Sequence, residues 1–325
     1  MTGMLFGKFM PLHKGHIELI EFALQRCEYL YVVLCYTSKE PIAGPLRAKW
    51  LNKLLEQKSN VSLIIYQYDE TNLPNTSVSS RDASERWANA FKTILPAIDV
   101  LFTSEIYGNY LSEFMQIHHV PFDYDRMRVA VSATMIRENP FRYWDYIADT
   151  AKPWFVKKVS VVGTESTGKS ILAKSLAETF STVFVPEMAR SIVKKTSECT
   201  ISDLYKIAES QAKAIETALL SANKLLFVDT DLATTRSYAR FLFGEELTVK
   251  KWITEVNKFD LHLFLEPDCE YVQDGTRLSL EQRNALSEHH KAHFKQEGIQ
   301  LVPISGNWQD RFNQAQGLIR RHFFT

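Results

Sequence analysis

The sequence predicts an α/β protein of two domains in series, each built on a parallel sheet. Three observations carry this. The chain opens strand, turn, helix, strand over residues 4–36, a βαβ pattern that implies a parallel pair with a right-handed crossover. At mid-chain a β-branched stretch, 156–162, runs into a glycine-bounded loop and then a helix in which Ala173, Leu176, Ala177 and Phe180 recur at helical spacing. The length of 325 residues, with 45% hydrophobic and 23% charged, suffices for two domains with full cores.

Bulk properties narrow the class of function. Lys+Arg and Asp+Glu balance at 38 each, which argues against a dedicated nucleic-acid surface while leaving room for local phosphate pockets. The four cysteines, Cys27, Cys35, Cys199 and Cys269, have no metal-like spacing, so a reduced, cytoplasmic setting is expected. Neither a signal sequence nor an apolar run of membrane-spanning length is read, and no internal repeat is visible.

In chain order, a short strand at 4–6 gives way to Gly7-Lys8-Phe9-Met10-Pro11-Leu12-His13-Lys14-Gly15-His16. A helix follows with Ile20, Ala23, Leu24 and Cys27 on one face, then an apolar strand at 29–36. Ligands of such sheets bind outside the C-terminal strand ends, where residues 7–16 lie. Two histidines around Gly15 can face a phosphate at the helix start; taken alone, a His-x-x-His pair equally suits a metal or a plain surface. A Pro/Gly loop at 37–45 precedes a helix with Arg47, Trp50, Leu51 and Leu54 on one face and a strand at 61–65. The polar loop 69–82, with Pro74, Asn75 and Arg81, reads equally as a substrate lid or a surface excursion. A helix with Trp87, Phe91 and Ile94 leads to a strand at 99–103 and the turn 103–108.

Residues 7–16 resemble the HxGH signature of the nucleotidyltransferase superfamily, in the version of nicotinamide-nucleotide adenylyltransferases. The superfamily's second signature, [IV]-S-x-T-x-x-R, is matched by Val131-Ser132-Ala133-Thr134-Met135-Ile136-Arg137. The resemblance implies a Rossmann-like HxGH nucleotidyltransferase fold for residues 1–150. It implies that the phosphate of nicotinamide mononucleotide attacks the α-phosphorus of ATP and expels pyrophosphate. That chemistry asks the protein to neutralise charge and align groups. Lys8, His13, His16 and Arg137 would be catalytic, with Gly7, Phe9, Ser132 and Thr134 around the nucleotides and Arg47 a weaker addition. The resemblance also puts Trp87, Thr103 and Tyr107 near the nicotinamide and ribose pockets, although on spacing alone Trp87 suits a core position.

The second half starts with Gly163-Thr164-Glu165-Ser166-Thr167-Gly168-Lys169-Ser170, which fits G-x-x-x-x-G-K-[ST] at every fixed position. Its glycines let backbone N–H groups turn inward on phosphate oxygens, Lys169 brings a mobile cation, and Ser170 can place its hydroxyl on Mg²⁺. A strand at 183–185 ends in Pro186-Glu187-Met188-Ala189-Arg190, and a helix spans about 202–222. The apolar strand 225–229 ends in Asp229-Thr230-Asp231, where Asp229 is the expected Mg²⁺-linked aspartate. Glu187 is the first candidate base for an acceptor hydroxyl, with a salt bridge to Arg190 as the competing reading; Asp231 is the second. Beyond a strand at 261–265, Asp274 and Arg277 flank Gly275 as lid residues, and Arg283 is a possible assistant. A strand at 301–304 and an amphipathic helix from about Gln309 complete a P-loop kinase fold over residues 151–325.

The junction Ile136-Arg137-Glu138-Asn139-Pro140-Phe141-Arg142-Tyr143-Trp144 is similar to that of the NadR-type bifunctional nicotinamide-nucleotide adenylyltransferase/ribosylnicotinamide kinases. Pro140 is expected to break one helix and begin another, with the aromatics after it as interface material and a short linker between closely packed domains. The resemblance covers essentially the whole chain. It implies that ATP and Mg²⁺ serve phosphorylation of nicotinamide riboside to the mononucleotide, and that adenylylation then gives NAD. With Gly7 already inside the first motif, a form without the helix-turn-helix of some relatives is expected, hence no nucleic-acid partner; homo-oligomerisation is left open. Two alternatives compete: a bifunctional adenylyltransferase/kinase of coenzyme A synthesis, and a ligand-sensing regulator with one inactive domain.

Overall fold

The computed structural model describes residues 1–74, 80–193, 198–272 and 277–324. The expected lid residues Asp274 and Gly275, and Asn75 of the polar loop, lie outside them. The chain divides into two units, Met1–Trp154 and Phe155–Thr325.

The first unit runs β1 (Thr2–Gly7), α1 (Lys14–Leu24), β2 (Tyr29–Tyr36), α2 (Gly44–Leu55), β3 (Val61–Gln67), α3 (Arg81–Ile94), β4 (Val100–Thr103), α4 (Gly108–Met115), β5 (His118–Pro121) and α5 (Ala133–Glu138). Its five strands are parallel in the order β3-β2-β1-β4-β5. β2 reads Tyr-Leu-Tyr-Val-Val-Leu-Cys-Tyr with no polar alternation because helices cover both faces of the sheet. Met4, Val33, Cys35, Phe91 and Leu101 form its core. The chain leaves β1 towards β2 on one side and later returns as β4 on the other. That reversal opens a crevice at the C-terminal ends of β1 and β4.

α6 (Lys152–Phe155) spans the boundary between the units. The second unit continues with β6 (Lys157–Val162), α7 (Lys169–Thr179), β7 (Phe184–Val185), α8 (Ala189–Ile192), α9 (Ile201–Leu219), β8 (Leu225–Asp229), α10 (Leu232–Phe243), α11 (Lys251–Val256), β9 (Leu261–Leu265), α12 (Leu280–Gln296), β10 (Leu301–Ile304) and α13 (Trp308–Phe323). Its sheet is again parallel, in the order β10-β9-β6-β8-β7. β8 and β9 are buried along their whole length, as central strands must be. Thr200 and Asp203 form a capping box that fixes the start of α9 at Ile201, worth about 1 kcal/mol.

One expectation changes. Pro140 begins no helix: after α5 the chain passes into a single 3-10 turn, Trp144–Tyr146. Within the first unit, Trp144 is buried edge-on to Phe141, and Ile147 bridges His13 through the backbone.

Candidate active sites

The first site forms where β1 ends. Beyond Gly7 the Lys8 ammonium pairs with Glu40 Oε1 at 2.8 Å. Arg47, entirely buried, donates to the Lys8 carbonyl at 2.6 Å and to Glu40 Oε2. This corrects the expectation that Arg47 faces a phosphate: burial and two fixed acceptors make it the brace of the Lys8 backbone. Burial would raise the Glu40 carboxyl, but hydrogen bonds from Lys8 and Arg47 outweigh that and hold it below the usual range. No motif pointed to Glu40.

His13 caps α1 and its ring lies against that of His16, centroids 3.7 Å apart, with the Phe9 ring 4.9 Å from that of His16. The His13 N–H donates to His16 Nδ1 at 3.3 Å, which assigns the His16 proton to Nε2. Burial chiefly, and then the charge of Arg126, lowers His13 to about 4. His16 is pushed well below its ordinary value by burial, then by His13 and Arg126. Both rings are therefore neutral donors at neutral pH. Arg137 on α5 reaches back to donate to the Met10 carbonyl, and to Thr134 Oγ1 at 3.0 Å. Ser132 caps α5 by accepting from the Met135 N–H at 3.2 Å. The two signature motifs, 127 positions apart at Met10 and Arg137, thus meet in one crevice.

Beside Lys8 opens a cavity of about 170 Å³ lined by Gly7, Cys35, Tyr68, Trp87 and Tyr107. Trp87 is half-buried there, edge-on to Tyr68 at 4.9 Å, with its indole N–H on the Pro74 carbonyl at 3.2 Å. It is both a core residue and a cavity wall. Thr103 ends β4 and its hydroxyl contacts the Glu105 carbonyl at 2.9 Å and His119 Nε2 at 3.0 Å.

The second site forms where β6 ends. Gly163 and Gly168 take φ of 138° and 85°, and a Cβ on Gly163 would stand 2.7 Å from the Leu265 carbonyl, so only glycine fits. Within the loop, Thr167 Oγ1 donates to the Thr164 carbonyl at 2.8 Å, and so does Lys169 Nζ at 2.9 Å. Ser170 donates to Asp229 Oδ2 at the end of β8. Burial raises the Asp229 carboxyl, against the pull of Lys169. Arg190 donates to Ser170 Oγ at 2.8 Å and to Glu187 at 3.3 Å, so the expected salt bridge forms. Over the loop, Arg277 donates to Ser166 Oγ and the Leu278 N–H to Glu165 Oε2 at 3.0 Å.

Asp231 does something other than expected. It is 2% exposed, accepts from Ser160 Oγ at 2.9 Å and from the Thr234 N–H at 2.8 Å, and meets His262 Nδ1 at 3.0 Å. It caps α10 and ties β6 to β9; its oxygens are taken, so it offers no base to a substrate. Arg283 is likewise buried, bonded to the Pro267 carbonyl at 2.7 Å. Two residues that no motif pointed to set the site. Gln211 on α9 donates to the carbonyls of Asp229 and Thr230 and accepts from the Met188 N–H, fixing the ends of β8 and β7 together. Arg311 on α13 donates to the carbonyls of Thr167, Glu266 and Gly306.

A pocket of about 850 Å³ runs from Lys169 and Ser170 past Glu187 and Arg190 to an apolar end that includes Ile207 and Tyr238. It joins a phosphate cradle to a space fit for a flat organic group, with the carboxylates of Glu165 and Glu187 in its lining. Ser170 and Asp229, joined by their hydrogen bond, offer hard oxygen donors of the kind Mg²⁺ takes, so the residues fit that ion.

A family model described as an AAA domain matches residues 158–311. The chain is 30% identical over 345 residues to the trifunctional NAD biosynthesis/regulator protein NadR of Salmonella typhimurium, covering 98% of this chain and 82% of that one. It also resembles two solved NadR structures across its full length and 96% of theirs. The one in complex with NR superposes with a TM-score of 0.81 at 22% identity. The one in complex with NAD and AMP-PNP gives 0.77 at 21%.

Proposed function

This chain belongs to the NadR family, and on that premise we propose that it performs two consecutive transfers of NAD biosynthesis. The second unit phosphorylates nicotinamide riboside with ATP; the first joins the resulting mononucleotide to the adenylyl group of another ATP. The observation that carries the reading is the pocket beside Lys169, in which Glu187 stands between a phosphate cradle and an apolar end.

In the kinase step the 5′-hydroxyl oxygen of the riboside attacks the γ-phosphorus of ATP as the bond to ADP breaks. The hydroxyl proton passes to Glu187, which Arg190 orients through its 3.3 Å contact. Lys169 exchanges the Thr164 carbonyl for phosphate oxygens. Mg²⁺, held by Ser170 and Asp229, would neutralise the charge on the β- and γ-phosphates. The apolar end of the pocket takes the nicotinamide ring and excludes water from the acceptor.

In the adenylyl step a phosphate oxygen of the mononucleotide attacks the α-phosphorus of ATP, and pyrophosphate leaves. His13 and His16 enter neutral, each with one ring N–H to donate to a phosphate oxygen. Lys8 and Arg137 supply positive charge, each held by a fixed partner before substrate arrives. Trp87 and Tyr107 wall the cavity that suits the nicotinamide ring. The reading is supported further by the ligands named for the two solved relatives, NR in one and NAD with AMP-PNP in the other.

The test is product analysis by chromatography of the protein with ATP, Mg²⁺ and nicotinamide riboside. The expected course is mononucleotide first, then NAD and pyrophosphate. Phosphorylation of dephospho-coenzyme A with none of the riboside would sink the proposal.

A further inference from the structure

Between β5 and α5 the chain makes a hook that no motif accounts for. Asp123 and Arg126 both take left-handed φ, 46° and 51°. The Arg126 N–H donates to the Asp123 carbonyl at 2.9 Å. The Asp123 carboxylate turns back to accept from the N–H groups of Arg128 at 3.1 Å and Val129 at 3.3 Å. A non-glycine residue in this conformation persists only where its surroundings enforce it, and such residues concentrate at functional sites. The hook rests on the HxGH motif, with Val129 Cγ1 3.7 Å from where a Cβ on Gly15 would lie.

The hook carries two arginines with different settings. Arg128 lies over the ring of Phe122, 5.6 Å from its centroid. Arg126 stays half-exposed, paired with Glu105 at 3.2 Å, and its charge reaches both His13 and His16.

The charge balance gives that placement a purpose. Both histidines are neutral, and Lys8 shares the single carboxylate of Glu40 with Arg47. Arg137 is committed to the Met10 carbonyl and Thr134. Adenylyl transfer brings a triphosphate and a monophosphate into this crevice and ends with pyrophosphate leaving, so the site must hold more negative charge than Lys8 and Arg137 alone would balance. Exposed ion pairs are weak, whereas a guanidinium grips phosphate through paired hydrogen bonds. We propose that Arg126 is a phosphate ligand of the first site, released by Glu105 onto the β- and γ-phosphates of ATP and holding the departing pyrophosphate. The assignment rests on the adenylyltransferase reading of that unit.

The test uses the full chain and measures NAD formed from ATP and nicotinamide mononucleotide. In the same preparations, phosphorylation of nicotinamide riboside reports that the protein is folded. Arg126→Ala should lower kcat/KM for ATP by about 10²-fold, the loss typical of a group that stabilises transition-state charge, and leave KM for the mononucleotide and the kinase reaction as in the parent. Arg126→Lys should recover part of the loss. Glu105→Gln, which removes the competing carboxylate, should lower KM for ATP. Inhibition by added pyrophosphate should weaken in Arg126→Ala. An Arg126→Ala protein with parental kcat/KM for ATP overturns the assignment alone, as does an equal loss for ATP and the mononucleotide. A parent protein that makes no NAD removes the adenylyltransferase reading and the assignment with it.

Discussion

Ser170 gives its hydroxyl hydrogen to Asp229, joining the start of α7 to the end of β8 across 59 positions of sequence. The contact brings together the two oxygens that suit a divalent cation, on a carboxyl that burial raises against the pull of Lys169.

Metal and nucleotide should therefore stabilise the second unit jointly. Melting curves with ATP and Mg²⁺ together should shift upward more than with ATP alone, by about 2.7 kcal/mol at a hundredfold excess over Kd. Asp229→Asn should keep the shift with ATP alone and lose the increment from Mg²⁺; an unchanged increment would remove Asp229 from the metal site.

The two reactions should separate by single substitutions. Lys169→Ala is expected to cut riboside phosphorylation by about 10²- to 10³-fold and to leave NAD formation from supplied mononucleotide intact. His16→Ala should do the reverse. A variant that depresses both rates alike would mean that its effect is on folding.

The two acidic residues first considered as the base should part company. Glu187→Gln should lower kcat for the riboside by about 10²- to 10⁴-fold with little change in melting temperature, as expected for lost general-base catalysis. Asp231→Asn should keep most of its kcat but destabilise the protein by about 2 kcal/mol, because a buried cap and its partners lose their acceptor. Urea titration beside initial rates distinguishes them.

Acid should loosen the first unit. His13 titrates near 4 when folded, against an ordinary 6.5, so between those values the unfolded chain binds more protons than the folded one. Stability is then full above about pH 6.5 and falls as pH drops towards 4, by up to about 3 kcal/mol from this residue, with His16 acting in the same direction. His13→Asn should flatten the dependence of urea midpoint on pH over that window; a parental slope in the variant would place its origin elsewhere.

What the sequence disclosed followed local rules. The strands at 29–36, 225–229 and 261–265 stand where expected because fully buried parallel strands are unbroken apolar runs. Both loop motifs were legible because fixed spacing reflects backbone geometry within a few residues. Short elements escaped: β5 and α11 are four and six residues long, too brief for a periodicity to show. Charge alone also misled. Arg47 and Asp231 are of the right type for phosphate and base chemistry, yet their burial is decided by partners at Glu40 and His262. Gln211 and Arg311 were illegible for the same reason, since the Arg311 contact with Thr167 spans 144 positions.

That last contact has a consequence for how the protein is made. Arg311 supports the phosphate loop from α13, and Trp308, the first residue of α13, sits so close to Gly168 that a Cβ there would stand 2.4 Å from its ring. The loop near the start of the second unit thus takes its shape from the unit's final helix. A ribosome that has delivered only as far as β9 has delivered a unit whose ATP site lacks its buttress. The crevice of the first unit, from Lys8 to Arg137 with the Ile147 bridge to His13, is complete within its own stretch of chain and can assemble while the rest is still being synthesised.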